Sequence, residues 1–208
     1  MTQRPVDRLI LKLAIPTIIS MTITAMYNLA DSYFIGHLST QATAGVGIAF
    51  AYQSFIQAIG FFFGSGAGNY ISRALGAKKE QNAEKMASTG FFSALLAGIA
   101  IGLAGLIFIK PLATLLGATP DIESYAIDYL KYLLIAAPFM ISQMVLNNQL
   151  RLQGNALQAM IGLVSGAIIN IILDPIFIYT LGLGVSGAAI ATLVSQIISW
   201  SILLIVTT

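Results

Sequence analysis

Long apolar segments that almost lack charged side chains are the feature that most constrains the fold of this chain. Hydrophobic residues make up 57% of its 208 residues, and charged residues make up 9%. By the rule that a lipid-spanning helix needs about 20 mostly apolar residues, the sequence predicts about six spans. They cover residues 10–33, 44–71, 87–109, 124–146, 158–180 and 187–207. The predicted fold class is therefore an all-α membrane protein, a six-transmembrane-helix bundle over residues 1–208.

Several classes of function find no support in the composition. Cysteine is absent, which excludes a disulfide framework, a thiolate nucleophile and a cysteine-ligated metal. The sequence contains neither a phosphate-binding loop nor a serine, histidine and aspartate set, so we predict no enzyme and no cofactor. The basic residues are spread over loops rather than gathered on one face, so nucleic acid is not an expected partner. The lipid bilayer is the expected environment, and an ion gradient is the expected energy source.

The distribution of basic residues predicts an orientation, because Lys and Arg accumulate in cytoplasmic loops. One side of the predicted bundle holds Arg4, Arg8, Lys12, Arg73, Lys78, Lys79, Lys85 and Arg151, and the other side holds Lys110 and Lys131. This bias predicts a multi-pass protein of the bacterial plasma membrane with both ends cytoplasmic and with Arg151 in a cytoplasmic turn. On the outer side, Tyr125, Tyr129 and Tyr132 suit an interfacial aromatic belt.

Two aspartates interrupt otherwise uncharged apolar segments: Asp31 in MYNLADSYFIG and Asp174 in IINIILDPIFIY. A carboxylate inside a bilayer costs at least ~2.5 kcal/mol, and such residues usually mark an ion or substrate path. The loop charges place both acids in the outer half of the membrane, where they are predicted to share one cavity. The alternative for Asp31 is an interfacial residue that faces water. The pair favours a transporter over a passive membrane anchor.

The surroundings of Asp174 indicate a cation site. Asn170 lies one helical turn before Asp174 on the same helix face. Pro175 has no N–H and crowds the carbonyl of Ile171, which frees a backbone acceptor near the acid. A carboxylate, an amide oxygen and a free carbonyl would suit a sodium ion. The same set suits a proton equally well, so both ions stay open as the coupling ion.

Polar side chains also occur inside the fourth predicted span, in MISQMVLNNQLRLQGN. Its amides are Gln143, Asn147, Asn148 and Gln149, and Met140 and Met144 lie beside them at i, i+4 spacing. Polarizable methionines suit a surface that accepts many apolar ligands, which makes Gln143, Met140 and Met144 candidate substrate contacts. The alternative is that the amides bond neighbouring helices and the methionines fill gaps. Glycines spaced by four residues, such as Gly98 and Gly102, predict close helix packing.

Three stretches resemble the multidrug and toxic compound extrusion (MATE) family: PTIISMTITAMYNLADSYFIGHLS, RLQGN, and INIILDPIFIYTLGLGVSGAAIATLVSQ. The resemblance implies two six-helix lobes related by pseudo-twofold symmetry around a central substrate cleft. It also implies export of organic cations and drugs in exchange for sodium ions or protons. Because the family has about twelve spans, this chain is expected to be the amino-terminal lobe, whose partner is a missing carboxy-terminal six-helix lobe.

Carried over by motif, the resemblance implies a cation site at Asp31, Asn170 and Asp174. It implies a supporting network of Tyr27, Asn147 and Thr192, and bending of the first helix at Pro16, to which the helix geometry adds Pro175. Two alternative functions stay open. One is a lipid-linked saccharide flippase of the same superfamily, whose cleft would be expected to carry buried Arg or Lys that the predicted spans lack. The other is a non-transporting membrane scaffold subunit.

Overall fold

The computed structural model describes residues 6–207, except for the side chains of residues 6–9 and of Lys12. Three basic residues used above for orientation therefore fall outside the description: Arg4 entirely, and Arg8 and Lys12 in their side chains. The helices are α1 (Val6–Gly36), α2 (Thr40–Gly76), α3 (Glu80–Ile107), α4 (Ile109–Leu115), α5 (Glu123–Leu152), α6 (Ala156–Pro175), a π-helical turn (Ile176–Thr180) and α7 (Gly184–Thr207). The described part of the chain contains no strand.

Six helical segments in the described part of the chain are long and apolar enough to cross a membrane, one of them formed by α6 and the π-helical turn together. They cover Leu13–Gly36, Thr40–Gly76, Glu80–Ile107, Glu123–Leu152, Ala156–Thr180 and Gly184–Thr207. The predicted all-α fold with six candidate membrane helices is thereby confirmed. The third predicted range runs past a break at Phe108, where α3 ends and α4 begins. Pro111 explains the break, since it lacks the N–H that would continue the helix to the carbonyl four residues earlier.

Helix α5 is the centre of the bundle, because it packs against α2, α3, α4, α6 and α7. Its inward side chains include Tyr129, Leu130, Leu134 and Ile141, each at most 1% exposed. The assignment of Tyr129 to an interfacial aromatic belt is therefore wrong. Tyr129 lies within the bundle because α5 is enclosed by its neighbours, whereas a belt residue would face the lipid interface.

Glycines bring the helices into close contact, as their spacing predicted. A Cβ atom on Gly98 would lie 2.5 Å from the Cα atom of Pro138, and one on Gly102 would lie 2.6 Å from the Leu134 carbonyl oxygen. Helix α3 thus packs directly on the backbone of α5. The same small-residue contacts occur between α2 and α5 at Gly60, Gly64 and Gly68, and between α6 and α7 at Gly162 and Gly166.

The two prolines predicted to bend helices occupy different local structures. Helix α6 ends at Pro175 and gives way to the π-helical turn, in which the Leu181 amide donates to the Ile176 carbonyl. A missing proline N–H favours such a change of hydrogen-bond register. Helix α1 instead continues through Pro16, whose carbonyl accepts a hydrogen bond from the Ser20 hydroxyl at 2.8 Å. Bending at either proline stays a prediction.

Candidate cation site and ligand cavity

Asp174 and Asn170 form the first part of the candidate site, on the buried face of α6. Asp174 is 0% exposed and Asn170 is 1% exposed. Their i, i+4 spacing lets the Asn170 amide donate to Asp174 Oδ1 at 3.2 Å. The same amide nitrogen lies 3.4 Å from the Thr192 hydroxyl on α7. Asn170 therefore connects the α6 carboxylate to the neighbouring helix.

Asp31 forms the second part, near the end of α1. It is 1% exposed, and the Tyr129 hydroxyl of α5 donates to its Oδ2 at 3.0 Å. Because Asp31 is buried, its interpretation as an interfacial residue facing water does not hold. The hydroxyl of Thr192 lies near that of Tyr129. The two parts of the site are therefore neighbours, with Tyr129, Thr192 and Asn170 placed between Asp31 and Asp174.

Tyr27 lies one helical turn before Asp31 and is 7% exposed. Its hydroxyl accepts a hydrogen bond from Gln53 Nε2 of α2 at 3.1 Å. The Tyr27 hydroxyl lies close enough to Asp31 and Asp174 for their negative charges to act on it. The two aspartates are likewise close enough for their charges to repel each other. The structure therefore brings Tyr27 and Thr192 together with the predicted cation residues, and adds Tyr129 and Gln53 to the group.

The unpaired atoms of this region are all oxygens. Among the described residues, the buried side-chain atoms without a hydrogen-bond partner are Asp31 Oδ1, Gln53 Oε1, Gln143 Oε1, Asn170 Oδ1 and Asp174 Oδ2. A buried acceptor without a donor is costly, so such a set calls for a cation, a proton or a water molecule. Sodium would be held by the oxygens of Asp31, Asn170 and Asp174, whose hard donor set fits it.

A transition-metal site has no comparable support. Residues 6–207, where their side chains are described, contain no group of three or more His, Cys, Asp and Glu side chains suited to hold a metal ion. No ion pair joins either aspartate to a basic residue in the same part of the chain. The two buried acids are therefore compensated by hydroxyl and amide groups alone, an arrangement that leaves them available to a monovalent cation.

A cavity of about 340 Å³ lies beside this network, between α1, α2, α5, α6 and α7. Tyr27 and Asn170 line the cavity, but neither aspartate does. The expectation that both acids share a cavity is therefore wrong in this structure. Each acid is covered by its own partners, and only the hydroxyl and amide groups beside the acids reach the cavity wall.

The candidate substrate contacts on α5 do line this cavity. Met140, Gln143 and Met144 are among its lining residues, together with Met21 and Phe61. The thioethers and the aromatic ring form an apolar wall interrupted by the Gln143 amide. This placement is compatible with a ligand-contacting role, which stays a prediction.

Asn147 lies apart from the acidic network to which the resemblance assigned it. Its amide donates to the Ala159 carbonyl of α6 at 2.9 Å, and its side chain lines the cavity. The structure shows no hydrogen bond between Asn147 and either aspartate. What Asn147 does in this structure is cross-link α5 to α6 along the cavity wall.

Arg151 is placed differently from the expectation. It belongs to the last turn of α5 rather than to the following turn, and its half-buried side chain lines the cavity. The cavity thus contains a basic residue that lies beyond the predicted span 124–146, where the expectation for the spans did not apply. The assignment failed because α5 continues to Leu152, past the end of its apolar segment.

Two residues of the site were missed at the level of the sequence. Gln53 is one of four amide side chains in α2, and Tyr129 is one of several aromatic residues near the start of a helix. Their importance depends on contacts across 26 and 98 positions of the chain. The only local signal for Tyr129 is its place between Ala126, Leu130 and Leu133, which are apolar residues on the same helix.

Comparison with known proteins agrees with the resemblance. The MatE family model matches residues 16–176. The multidrug export protein MepA of Staphylococcus haemolyticus is 35% identical over 187 residues, which are 89% of this chain and 41% of that protein. A crystal structure of MATE in the bent conformation superposes with a TM-score of 0.89 at 36% identity, covering 95% of this chain and 44% of that one. An outward-facing multidrug resistance MATE family transporter gives the same TM-score and identity, over 94% and 43%.

The chain spans less than half the length of these relatives. Most of its length is nevertheless matched, and its six candidate membrane helices superpose on one half of the solved transporters. The relatives named above are transporters rather than enzymes. With bacterial relatives and six candidate spans, the chain is a multi-pass membrane protein, and it belongs to the MATE family of multidrug efflux transporters.

Proposed function

We propose that the full-length protein is a cation-coupled antiporter that exports cationic, amphipathic compounds, and that this chain holds the coupling-cation site. The observation that carries the proposal is the pair of fully buried carboxylates, Asp31 and Asp174, compensated only by hydroxyl and amide groups. Acids inside membrane helices are rare and mark ion pathways. The names of the MepA relatives, which are multidrug export proteins, support the substrate class.

The coupling ion is sodium or a proton, bound at Asp31, Asn170 and Asp174. Either ion removes net negative charge from the site. Asp31 of α1 is bonded to Tyr129 of α5, and Asp174 is bonded to Asn170, whose amide also lies beside Thr192 of α7, so a change of charge alters the hydrogen bonds that join α1 to α5 and α6 to α7. Rearrangement of α1 at Pro16 and of α6 at Pro175 would then open or close the cavity to its ligand.

The remaining parts of the proposal concern the setting of the chain. Both of its ends face the cytoplasm, in keeping with the bias of its basic residues. A second six-helix lobe completes the substrate cleft, in keeping with the length of the relatives. Neither a nucleic acid nor a cofactor takes part in transport.

The first test is ethidium efflux from energised, pump-deleted bacteria that express the full-length protein. Asp174→Asn removes one carboxylate charge and is expected to reduce efflux to the background rate, because the coupling ion loses a ligand. The matched control is Asp121→Asn, which makes the same chemical change at an exposed position. Efflux that survives in the Asp174 variant at equal membrane expression would refute the assignment.

A lipid-linked saccharide flippase is the second candidate, because Arg151 supplies the cavity with a basic residue of the kind such a cleft needs. The two functions differ in their substrates. Failure of the unmutated protein to export ethidium, together with flipping of a pyrophosphate-linked lipid in vesicles, would favour the flippase. A scaffold subunit would retain its function when both aspartates are neutralised.

A further inference from the structure

Among the described residues that line the cavity, Arg151 is the one that carries a charge. Among the side chains that the structure describes, no carboxylate lies within 4.0 Å of its guanidinium. Its position at the carboxyl end of α5 is favourable for any cation, because the helix dipole is negative there. Arg73 likewise lies in the last turn of its helix, α2, yet it is exposed and does not line the cavity. The helix end therefore does not explain why Arg151 lines the cavity.

Arg151 lies at the opposite end of the cavity from the acidic network. Helices α5 and α6 run antiparallel, with the Asn147 amide bonded to the Ala159 carbonyl. Because the two helices run in opposite directions, the part of α5 after Asn147 leads to Arg151 on one side of this contact. The part of α6 after Ala159 leads to Asn170 on the other side. At ~1.5 Å of rise per residue, Arg151 and Asn170 are separated by roughly 20 Å along the helix axes. The cavity thus runs from a cationic end to an end that adjoins two buried acids.

The middle of the cavity wall is mainly apolar, interrupted by Gln143 and Ser199, and its Arg151 end is rich in amides. Met140, Met144 and Leu163 line the middle, while Asn147 and Asn148 lie one turn or less before Arg151. An unpaired guanidinium presents a planar fork of donors that matches carboxylate and phosphate oxygens. The apolar wall beside it fits the body of an amphiphilic molecule, so charge and shape together select for an amphiphile with an acidic group.

We infer that the Arg151 end of the cavity binds the anionic oxygen group, carboxylate or phosphate, of an amphiphilic ligand whose apolar part lies along the methionines. This inference rests on the proposed export function and adds a selectivity to it. Within the range of compounds that it exports, the protein binds an amphiphile that also carries an acid more tightly than the same compound with that acid neutralised. The acid belongs either to the exported compound or to a lipid.

Two matched pairs of probes separate these sources. The first pair is a fluoroquinolone with one amine and one carboxylate and the ethyl ester of the same compound. The second pair is a lysophosphatidic acid and the monoacylglycerol with the same acyl chain. Affinities for all four are measured by thermal shift and by tryptophan quenching, with the full-length protein in a non-ionic detergent. The variants are Arg151→Gln, Arg151→Lys, and the control Arg73→Gln.

The expected result is that Arg151→Gln lowers the affinity for the acidic member of one pair by about tenfold, while its neutralised analogue changes by less than about twofold. Arg151→Lys keeps the charge without the planar fork, so it is expected to lose part of the preference. It also serves as the test if Arg151→Gln does not fold. Arg73→Gln is expected to retain the full preference.

Loss of the fluoroquinolone preference identifies the ligand's own carboxylate as the partner, and loss of the lysophosphatidic acid preference identifies a lipid phosphate. An unmutated protein that shows no preference in either pair would overturn the inference. Variants of Arg151 that keep both preferences would overturn it as well. Ethidium efflux and its dependence on Asp174 test the proposed function separately, so either proposal can fail alone.

Discussion

At the scale of single residues, the candidate site depends on side chains that carry no charge. Tyr129 and Asn170 bond the two aspartates, and Thr192 lies beside both of them. The Tyr129 hydroxyl satisfies one carboxylate oxygen of Asp31, the Asn170 amide satisfies one of Asp174, and the second oxygen of each acid is unpaired. The network therefore holds the acids in place without neutralising them, which is what a site for an exchangeable cation requires.

The hydrogen bond from Tyr129 to Asp31 is open to a direct test. Tyr129→Phe removes the hydroxyl and leaves Asp31 Oδ2 without its donor, which we expect to cost about 1–3 kcal/mol of stability. The measurement is thermal unfolding in detergent, combined with ethidium efflux. The control is Tyr125→Phe, one turn earlier on α5, whose residue is only partly buried. Equal melting temperatures for the two variants would contradict a structural role for the bond.

At the scale of elements, α5 determines how the site is assembled. It supplies Tyr129 to the acidic network, Gln143 and the methionines to the cavity wall, and Arg151 to the cavity end. Glycines of α2 and α3 pack against it so closely that their helices approach its backbone. The apolar pattern of each segment predicts that a helix forms there. Which helix faces meet depends on packing between helices. For this reason the sequence predicted the wrong environment for Tyr129 and for Arg151.

The contact between α3 and α5 gives a second prediction. Gly102→Ala would place a methyl group about 2.6 Å from the Leu134 carbonyl oxygen, so the backbones must move apart. Overpacking of this kind costs about 1–3 kcal/mol. Gly66→Ala on α2 is the control, because a Cβ atom there meets nothing within 4 Å of the chain. We expect a lower melting temperature for the Gly102 variant alone, and an unchanged one would show that α3 and α5 can separate freely.

At the scale of the whole molecule, the cavity is electrically asymmetric. It has a guanidinium at one end, an apolar middle, and a network with two buried acids beside the other end. Such an arrangement would orient a ligand that carries both signs of charge, and under the proposed function it would keep the coupling ion apart from the ligand. Because the acids do not line the cavity, ion and ligand would then influence each other through Tyr27 and Asn170, which belong both to the cavity wall and to the network.

Binding of the coupling ion predicts a change in the stability of the whole protein. If sodium binds the folded state alone, replacing choline chloride by sodium chloride at constant ionic strength raises the melting temperature, with a free-energy gain of RT ln(1 + [Na⁺]/Kd). Asp174→Asn is expected to abolish this gain, whereas Asp121→Asn keeps it. A sodium-independent melting temperature, combined with efflux driven by a pH gradient, would identify the proton as the coupling ion.

The sequence by itself determined the helices and the identity of the acids at the centre of the site. Apolar segments long enough for a bilayer must form helices, because every backbone polar group in lipid has to be satisfied within the segment. Asp31, Asn170 and Asp174 stood out because charge and amide groups are costly there. Only the tertiary structure decided that Tyr129 and Gln53 join them, that the acids lie behind the cavity wall, and that Arg151 lines the cavity. Those outcomes depend on how helix faces rotate toward one another, which is set by packing between residues far apart in the chain.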